Sequence, residues 1–427
     1  MRNINIALLG FGTVGSGVYN AIKSNEETLK KELNANLIIK KILVSDKTKK
    51  RAEDVNPNIF TDNFTDIITD DIDLVVEVMG SMDFAKKCIL TAFERGKHVI
   101  SANKDLIATH GQELYKAAYE NNCFFMYEAS VCGGIPILRV INNHLFGEKI
   151  EKITGIMNGT TNYILSKMYQ EGLEYKDVLS EAQRLGYAEA DPTSDVEGYD
   201  SARKVAILSS LCFNTYVTFK DVYTEGITNI TKQDISYAKK MGYNIKLLGV
   251  SKENDGKIEA YVYPAFIPNT CQISNVKDAY NAVYLKSNLL GESMYYAKGA
   301  GSLPTASAVL SDIVNIVKNM SLNLPVERLD RNFEKKEILS IDEIFTKYYL
   351  RISLKSNIDI SSEILSIFEN MGIGVVKNIK EDIKDNNTII VITEKVKESK
   401  IKKCIESLKN LNKNLEIGNM IRIEDNI

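Results

Sequence analysis

Three glycines at the spacing G-x-G-x-x-G, Gly10, Gly12 and Gly15, stand in the stretch LLGFGTVGSGV at residues 8–18, and their setting narrows the possible folds more than any other feature. Before them runs INIALLG, a short apolar segment that reads as a buried strand. After them Val14, Val18, Ala21 and Ile22 recur at the spacing of one helical face. A strand turning through glycines into a helix is the arrangement that cradles a pyrophosphate. Gly10 permits the sharp turn, Gly12 leaves the backbone open to a ligand, and Gly15 lets helix and strand pack closely. The helix start offers N–H groups and the positive end of its dipole to the phosphates. The candidate cradle is therefore Gly10, Phe11, Gly12, Thr13, Val14 and Gly15.

The α/β pattern repeats downstream. NLIIKKILVS (36–45), IDLVVEVMG (72–80), KHVISANK (97–104) and CFFMYEAS (123–130) are strand-like, and helical segments separate the last three. This alternation predicts an α/β protein with a Rossmann-type parallel sheet covered by helices on both faces. At 427 residues, with 44% hydrophobic content, the chain is long enough to bury more than one core. Asp46 lies near the end of the second strand, where an acid would take a ribose 2′-hydroxyl. Lys47, Lys49, Lys50 and Arg51 crowd behind it and suit a 2′-phosphate, so the cofactor is expected to be NADP or NAD.

Charge excludes other classes. With 53 Lys+Arg against 56 Asp+Glu and a net of −3, no global field draws nucleic acid or acidic lipid, and a small zwitterionic substrate fits better. The six cysteines (88, 123, 132, 212, 271, 404) lie far apart and form no C-x-x-C pair, as expected of reduced core thiols. The apolar run at residues 1–9 is shorter than a signal-peptide core, and no run reaches membrane-spanning length, so a cytoplasmic protein is expected.

Four further stretches follow in order: SANKDL (101–106), EASVCGGIPI (128–137), GIMNGTTNYIL (155–165) and GYAEADPTSDVEGYDSARKVAIL (186–208). Together with the glycine turn, the series closely resembles the homoserine dehydrogenase family over essentially the first three quarters of the chain. The resemblance implies NAD(P)H-dependent interconversion of L-aspartate 4-semialdehyde and L-homoserine, a step toward threonine and methionine. It makes Lys204 the proton donor, with Glu189 and Asp200 binding the amino acid. It sets Lys104 and, from a second glycine-rich turn, Gly301 beside the cofactor. It also implies a structural sodium ion held by Glu128 and the backbone carbonyls of Val131, Gly133 and Ile135. Asp200 and Lys204 are four apart and share a helical face. Read without the resemblance, that pair is a surface bridge worth about 0.3–0.5 kcal/mol. Glu189 stands on the loop between Gly186 and Pro192, where a carboxylate can reach into a cleft.

The expected organisation is a cofactor domain at 1–130, with a helix near 303–320 returning to it, and a substrate-binding and dimerisation domain at 131–302. A charged connector at 321–344 and a C-terminal module at 345–427 follow. The module's order, β-α-β-β-α-β, is ferredoxin-like and resembles an ACT regulatory domain, which implies an amino-acid effector. It departs from that family where Ile358, Asp359, Ile360 and Ser361 open the first helix with no glycine. The family implies a homodimer or homotetramer. Two other readings compete. An aspartate-semialdehyde dehydrogenase needs a nucleophilic cysteine beside a histidine, and only His98, His110 and His144 are present. A non-catalytic dinucleotide and amino-acid sensor would have no use for Lys204.

Overall fold

The computed structural model describes residues 1–49, 51, 55–330, 332–354, 360–383, 386–411 and 415–425. Lys50 of the basic turn and Ile358 and Asp359 of the C-terminal module lie outside the described residues. The chain forms two compact units, one of residues 1–150, 206–219 and 287–335, the other of 151–205, 220–286 and 336–427. Residues 321–344 are thus divided between them. Among the described residues no helix is long and apolar enough to cross a membrane.

The first unit holds six strands: β1 (Arg2–Leu9), β2 (Ala35–Leu43), β3 (Phe60–Thr61), β4 (Leu74–Glu77), β5 (His98–Ser101) and β6 (Phe125–Met126). They pair in parallel in the order β3-β2-β1-β4-β5-β6, the doubly wound order that reverses beside β1. Ile6, Ala7, Leu8 and Leu9 are wholly buried, as a central parallel strand covered on both faces requires. The crossover helices are α1 (Thr13–Ser24), α2 (Glu26–Leu33), α3 (Met82–Glu94) and α4 (Lys104–Glu120). The helix Ser302–Ser321 contributes Ala306, Val309, Ile313 and Val317 to the core that holds Ile4, Ile6, Leu8, Val18 and Ile22. The strand expected over 123–130 is cut to two residues. From Glu128 the chain turns away, because the Glu128 carboxylate accepts the N–H groups of Leu138 and Arg139 at 2.9 and 2.8 Å.

In the second unit, β9 (Tyr243–Asn254) and β10 (Lys257–Pro268) form a long hairpin, and β7 (Ile150–Ile156) pairs antiparallel with β9. The hairpin turns at Asp255 and Gly256, both with positive φ, the geometry that suits the right-handed twist of paired strands. β8 (Tyr223–Thr224) lies on β10, and β11 (Tyr280–Ser287) lies beside β7. The C-terminal module has the strand order Leu415–Ile423, Phe345–Leu354, Asn386–Thr393, Val375–Ile383, with the helices Ser361–Asn370 and Glu398–Leu411 between strands, a ferredoxin-like arrangement. Its sheet is continuous with the hairpin: β10 pairs in parallel with Leu415–Ile423 at Ala265↔Arg422 and Phe266↔Ile423.

Two of the three motif glycines are demanded by the fold itself. Gly10 has φ +103°, and a Cβ on Gly15 would lie 2.2 Å from the Gly10 carbonyl oxygen. A Cβ on Gly12 would meet nothing within 4 Å. Thermal or urea unfolding should therefore show Gly15→Ala destabilised by about 2 kcal/mol, the scale of core overpacking, and Gly12→Ala unchanged; equal losses in both would contradict this division of labour.

Candidate active site

The open side of Gly12 is what a dinucleotide cradle needs. Gly12 caps α1 with no side-chain hydrogen bond to the helix, and the first turn holds no acidic residue to compete for an anion. Around this opening the structure assembles the rest of the turn. Phe11 packs edge-on against Phe60 at 5.3 Å, and the Arg51 guanidinium stacks 4.6 Å over the same Phe60 ring. Gly301, at φ +115°, caps the helix Ser302–Ser321, and the Ser302 hydroxyl donates to the Thr13 carbonyl at 2.8 Å. Gly301 and the α1 turn are thus held together. Asp46 is spoken for locally: its carboxylate accepts the Thr48 hydroxyl at 2.6 Å and the Thr48 N–H at 2.8 Å, which hold it below the usual carboxylate range. Lys47 pairs with Asp62 at 3.1 Å. This donor set fits a dinucleotide, with Arg51 as the fixed cation of the basic turn.

Lys104 is placed by a relay that the sequence reading missed. Glu77, fully buried at the carboxyl end of β4, accepts the Ser101 hydroxyl at 2.6 Å and the Met79 N–H at 2.7 Å. Ser101 in turn accepts the Asn103 N–H at 3.1 Å, and the Asn103 side chain caps α4 at the Leu106 N–H. Lys104 is therefore the first helical residue after a braced loop at the carboxyl edge of the sheet, where ligands of such folds bind. Its ammonium lies 3.8 Å from Asp105. Burial raises the Glu77 carboxyl to about 7. The only clue in sequence was an acid inside an apolar strand.

In the second unit, the helix Tyr199–Cys212 brings Asp200 and Lys204 to one face, as their spacing predicts. They are no surface pair. Lys204 is 8% exposed and Asp200 7%, and the ammonium donates to the Asp200 carboxylate at 2.7 Å and to the Met157 carbonyl at 2.6 Å. Asn158 extends the network, its amide donating to Asp200 at 2.9 Å and to Asp195 at 2.7 Å while its oxygen caps the helix Gly159–Glu171. The Asn281 amide donates to the same Met157 carbonyl at 2.9 Å. Burial, then the neighbouring Asp200, raises the Asp195 carboxyl. Asn158 and Asn281 escaped the sequence reading because neither is near Lys204 along the chain, with the NGT stretch after a strand as a local signal; Asp195 lies in the same acidic stretch as Lys204 and was not told apart from the other acids there. Glu189 stays exposed. Its loop is tied down: Gln183 donates to the Glu189 carbonyl at 3.0 Å, Thr160 donates to the Tyr187 carbonyl at 2.7 Å, and the Tyr187 ring packs on Tyr163 at 4.7 Å.

The third candidate group lies in the first unit. Glu128 is buried, with Asp312 accepting its N–H at 2.9 Å and Arg139 pairing with Asp312 at 2.8 Å. Burial and Asp312 raise Glu128 to about 7. The loop then curls through Cys132 at φ +53° and Gly133 at φ +41°, and the Ile135 carbonyl accepts the Ile137 N–H at 2.8 Å. Among the described residues no group of three or more His, Cys, Asp or Glu side chains could hold a metal, so any ion here depends on carbonyls. Burial pushes Cys88 up to about 12 and Cys123 and Cys404 up to about 11, which disfavours these three as nucleophilic thiols. Burial also drives His98 down to about 4, and its Nδ1 accepts the Phe124 N–H.

A doubly wound sheet with an open glycine turn at its switch point marks a dinucleotide-binding protein. Comparison with known proteins specifies which one. Residues 10–128 match the family model "Homoserine dehydrogenase, NAD binding domain", and residues 136–314 match "Homoserine dehydrogenase". The homoserine dehydrogenase of Bacillus subtilis is 41% identical, over 100% of this chain and 99% of its own. That of Corynebacterium glutamicum is 39% identical, over 99% of this chain and 96% of its own. A crystal structure of a homoserine dehydrogenase from Thiobacillus denitrificans superposes with a TM-score of 0.94 at 36% identity, covering 100% of this chain and 99% of that one. A hyperthermophilic archaeal homoserine dehydrogenase, solved in complex with NADPH, matches 76% of this chain and 99% of its own with a TM-score of 0.63 at 26% identity. The chain belongs to the homoserine dehydrogenase family and is an NAD(P)-dependent oxidoreductase.

The Glu77 relay makes stability depend on pH. Its carboxyl holds a proton up to about 7 in the folded protein but only to 4.5 when free. Between these values the native state binds more protons than the unfolded chain, so this contribution falls as pH rises through that window and is absent above it. Scanning fluorimetry from pH 5 to pH 8 should show the melting temperature of the parent declining more steeply than that of Glu77→Gln. Parallel profiles would remove Glu77 as a source of the dependence.

Proposed function

We propose that Lys204 is the proton donor in the reduction of L-aspartate 4-semialdehyde to L-homoserine, and that Asp195, Asp200 and Glu189 bind the substrate's ammonium side. The observation that carries this reading is the buried ammonium of Lys204, braced by one carboxylate and one carbonyl. A lysine costs several kcal/mol to bury unless paired, and here the Asp200 carboxylate and the Met157 carbonyl both accept from it. The bound nicotinamide supplies hydride to the aldehyde carbon. The chain's own work is to orient the aldehyde and protonate its oxygen; in the oxidative direction Lys204 takes the same proton back from the homoserine hydroxyl. Asp200 holds the ammonium in place, and Asn158 keeps Asp200 and Asp195 at a fixed separation by donating to both.

NADP(H) is accepted in this reading. Arg51, stacked on Phe60 beside the glycine turn, suits a 2′-phosphate, whereas one oxygen of the Asp46 carboxylate is already engaged twice by Thr48. A sodium ion held by Glu128 and the carbonyls of Val131, Gly133 and Ile135 would offset the excess of buried negative charge that Glu128 and Asp312 have over Arg139. The C-terminal module, with its ferredoxin-like order, is the candidate seat of an amino-acid effector.

Replacing Lys204 with Met should lower kcat by at least about 100-fold, the usual value of a positioned acid, while NADPH still quenches protein fluorescence on binding. Near-normal turnover in Lys204→Met would overturn the assignment. Replacing Arg51 with Ala should raise KM for NADPH about tenfold with little change for NADH, in keeping with loss of one charge-assisted contact; equal effects on both cofactors would disconnect Arg51 from the 2′-phosphate.

A further inference from the structure

Arg422 is fully buried in the last strand of the C-terminal module, and its guanidinium serves two elements at once. Two of its nitrogens clamp Glu398, itself fully buried at the start of the helix Glu398–Leu411, at 2.8 and 2.6 Å. The third reaches out of the module to Glu225 at 2.6 Å, and the ring of Tyr263 on β10 lies 4.7 Å away. Glu225 is not an isolated acceptor. It follows β8, its own N–H is fixed to the Val262 carbonyl at 2.8 Å, and the Tyr223 hydroxyl donates to its carboxylate at 3.2 Å.

The next two residues press directly on the acidic loop. The Ile227 N–H donates to the Val196 carbonyl at 2.8 Å, and Gly226 sits so close that an added Cβ would be 2.3 Å from that oxygen and 2.5 Å from the Glu197 Cα. Only glycine fits there. Val196 is bonded within the turn that carries Asp195, and Gly198, whose carbonyl takes the Ala202 N–H, opens the helix that carries Asp200 and Lys204. A side chain of the C-terminal module therefore connects, through Glu225, to the turn between Asp195 and Asp200.

We propose that Arg422 and Glu225 are positioning residues for the amino-acid substrate: they fix the segment 223–227 against residues 195–198 and so set the spacing of the Asp195 and Asp200 carboxylates. The proposal rests on the reading that these two carboxylates bind the substrate's ammonium group. Its consequence is that the C-terminal module is part of the scaffold of the substrate site, whatever effector it binds.

The test is steady-state kinetics of homoserine oxidation with the full chain. Glu225 is about one-third exposed at its side chain, so its replacement is compatible with folding. Glu225→Ala should raise KM for homoserine about fivefold, a coupling on the order of 1 kcal/mol, with kcat within twofold and KM for the cofactor unchanged. Glu225→Gln keeps an acceptor for Arg422 and should recover most of the loss. A purely structural effect would lower the melting temperature and the active fraction without moving KM. Asp200→Asn separates the two levels of inference. If Asp200→Asn impairs catalysis while Glu225→Ala leaves KM for homoserine unchanged, the positioning role is wrong. If Asp200→Asn has no effect, the reading of the loop itself fails.

Discussion

A buried ammonium has to be answered by acceptors held in place, and Lys204 imposes that demand on everything around it. Its helix must begin within hydrogen-bond reach of the Met157 carbonyl, which lies at the end of β7, and Asp200 must be one turn before it. Met157 is shared with Asn281, and Asp200 with Asn158, so three segments distant in sequence converge on two oxygen atoms. Breaking one such partner leaves a charge uncompensated in low dielectric, which costs far more than an exposed ion pair contributes. The network is thus a constraint on the fold.

The polar groups of the two units are organised by different means. In the first, backbone does the work: a glycine turn, an uncapped helix start and a carboxyl edge of parallel strands. Side chains there act one layer back, as in the Glu77–Ser101–Asn103 relay that braces the start of α4. In the second, carboxylates, an amide and a buried ammonium bond one another directly.

Within the second unit, the C-terminal module is joined to the residues before it by more than a linker. Besides Arg422, Asp234 closes a capping box at the helix Lys232–Lys240 and also accepts from Tyr349, Arg351 and Asn419, all of the module. Two fully buried acids, Asp234 and Glu398, therefore face groups from both sides of one sheet. Directional charged bonds of this kind fix register and angle in a way that apolar contact alone does not.

Local pattern in the sequence was enough for the α/β class, the glycine turn and the i,i+4 placement of Asp200 and Lys204, because each depends on periodicity or on the conformational freedom of nearby residues. The family resemblance added the function and named most of the candidate site residues. What the chain could not reveal along its length was burial. The Asp200–Lys204 pair reads as a surface bridge until Met157, Asn158 and Asn281 are brought in from elsewhere, and Glu77 reads as one more strand residue until Ser101 is set across from it. β6 stops short for the same reason, since Glu128 is captured by N–H groups ten residues on. Hydrogen bonds between remote segments, and the loss of water that makes them strong, exist only once the chain has closed on itself.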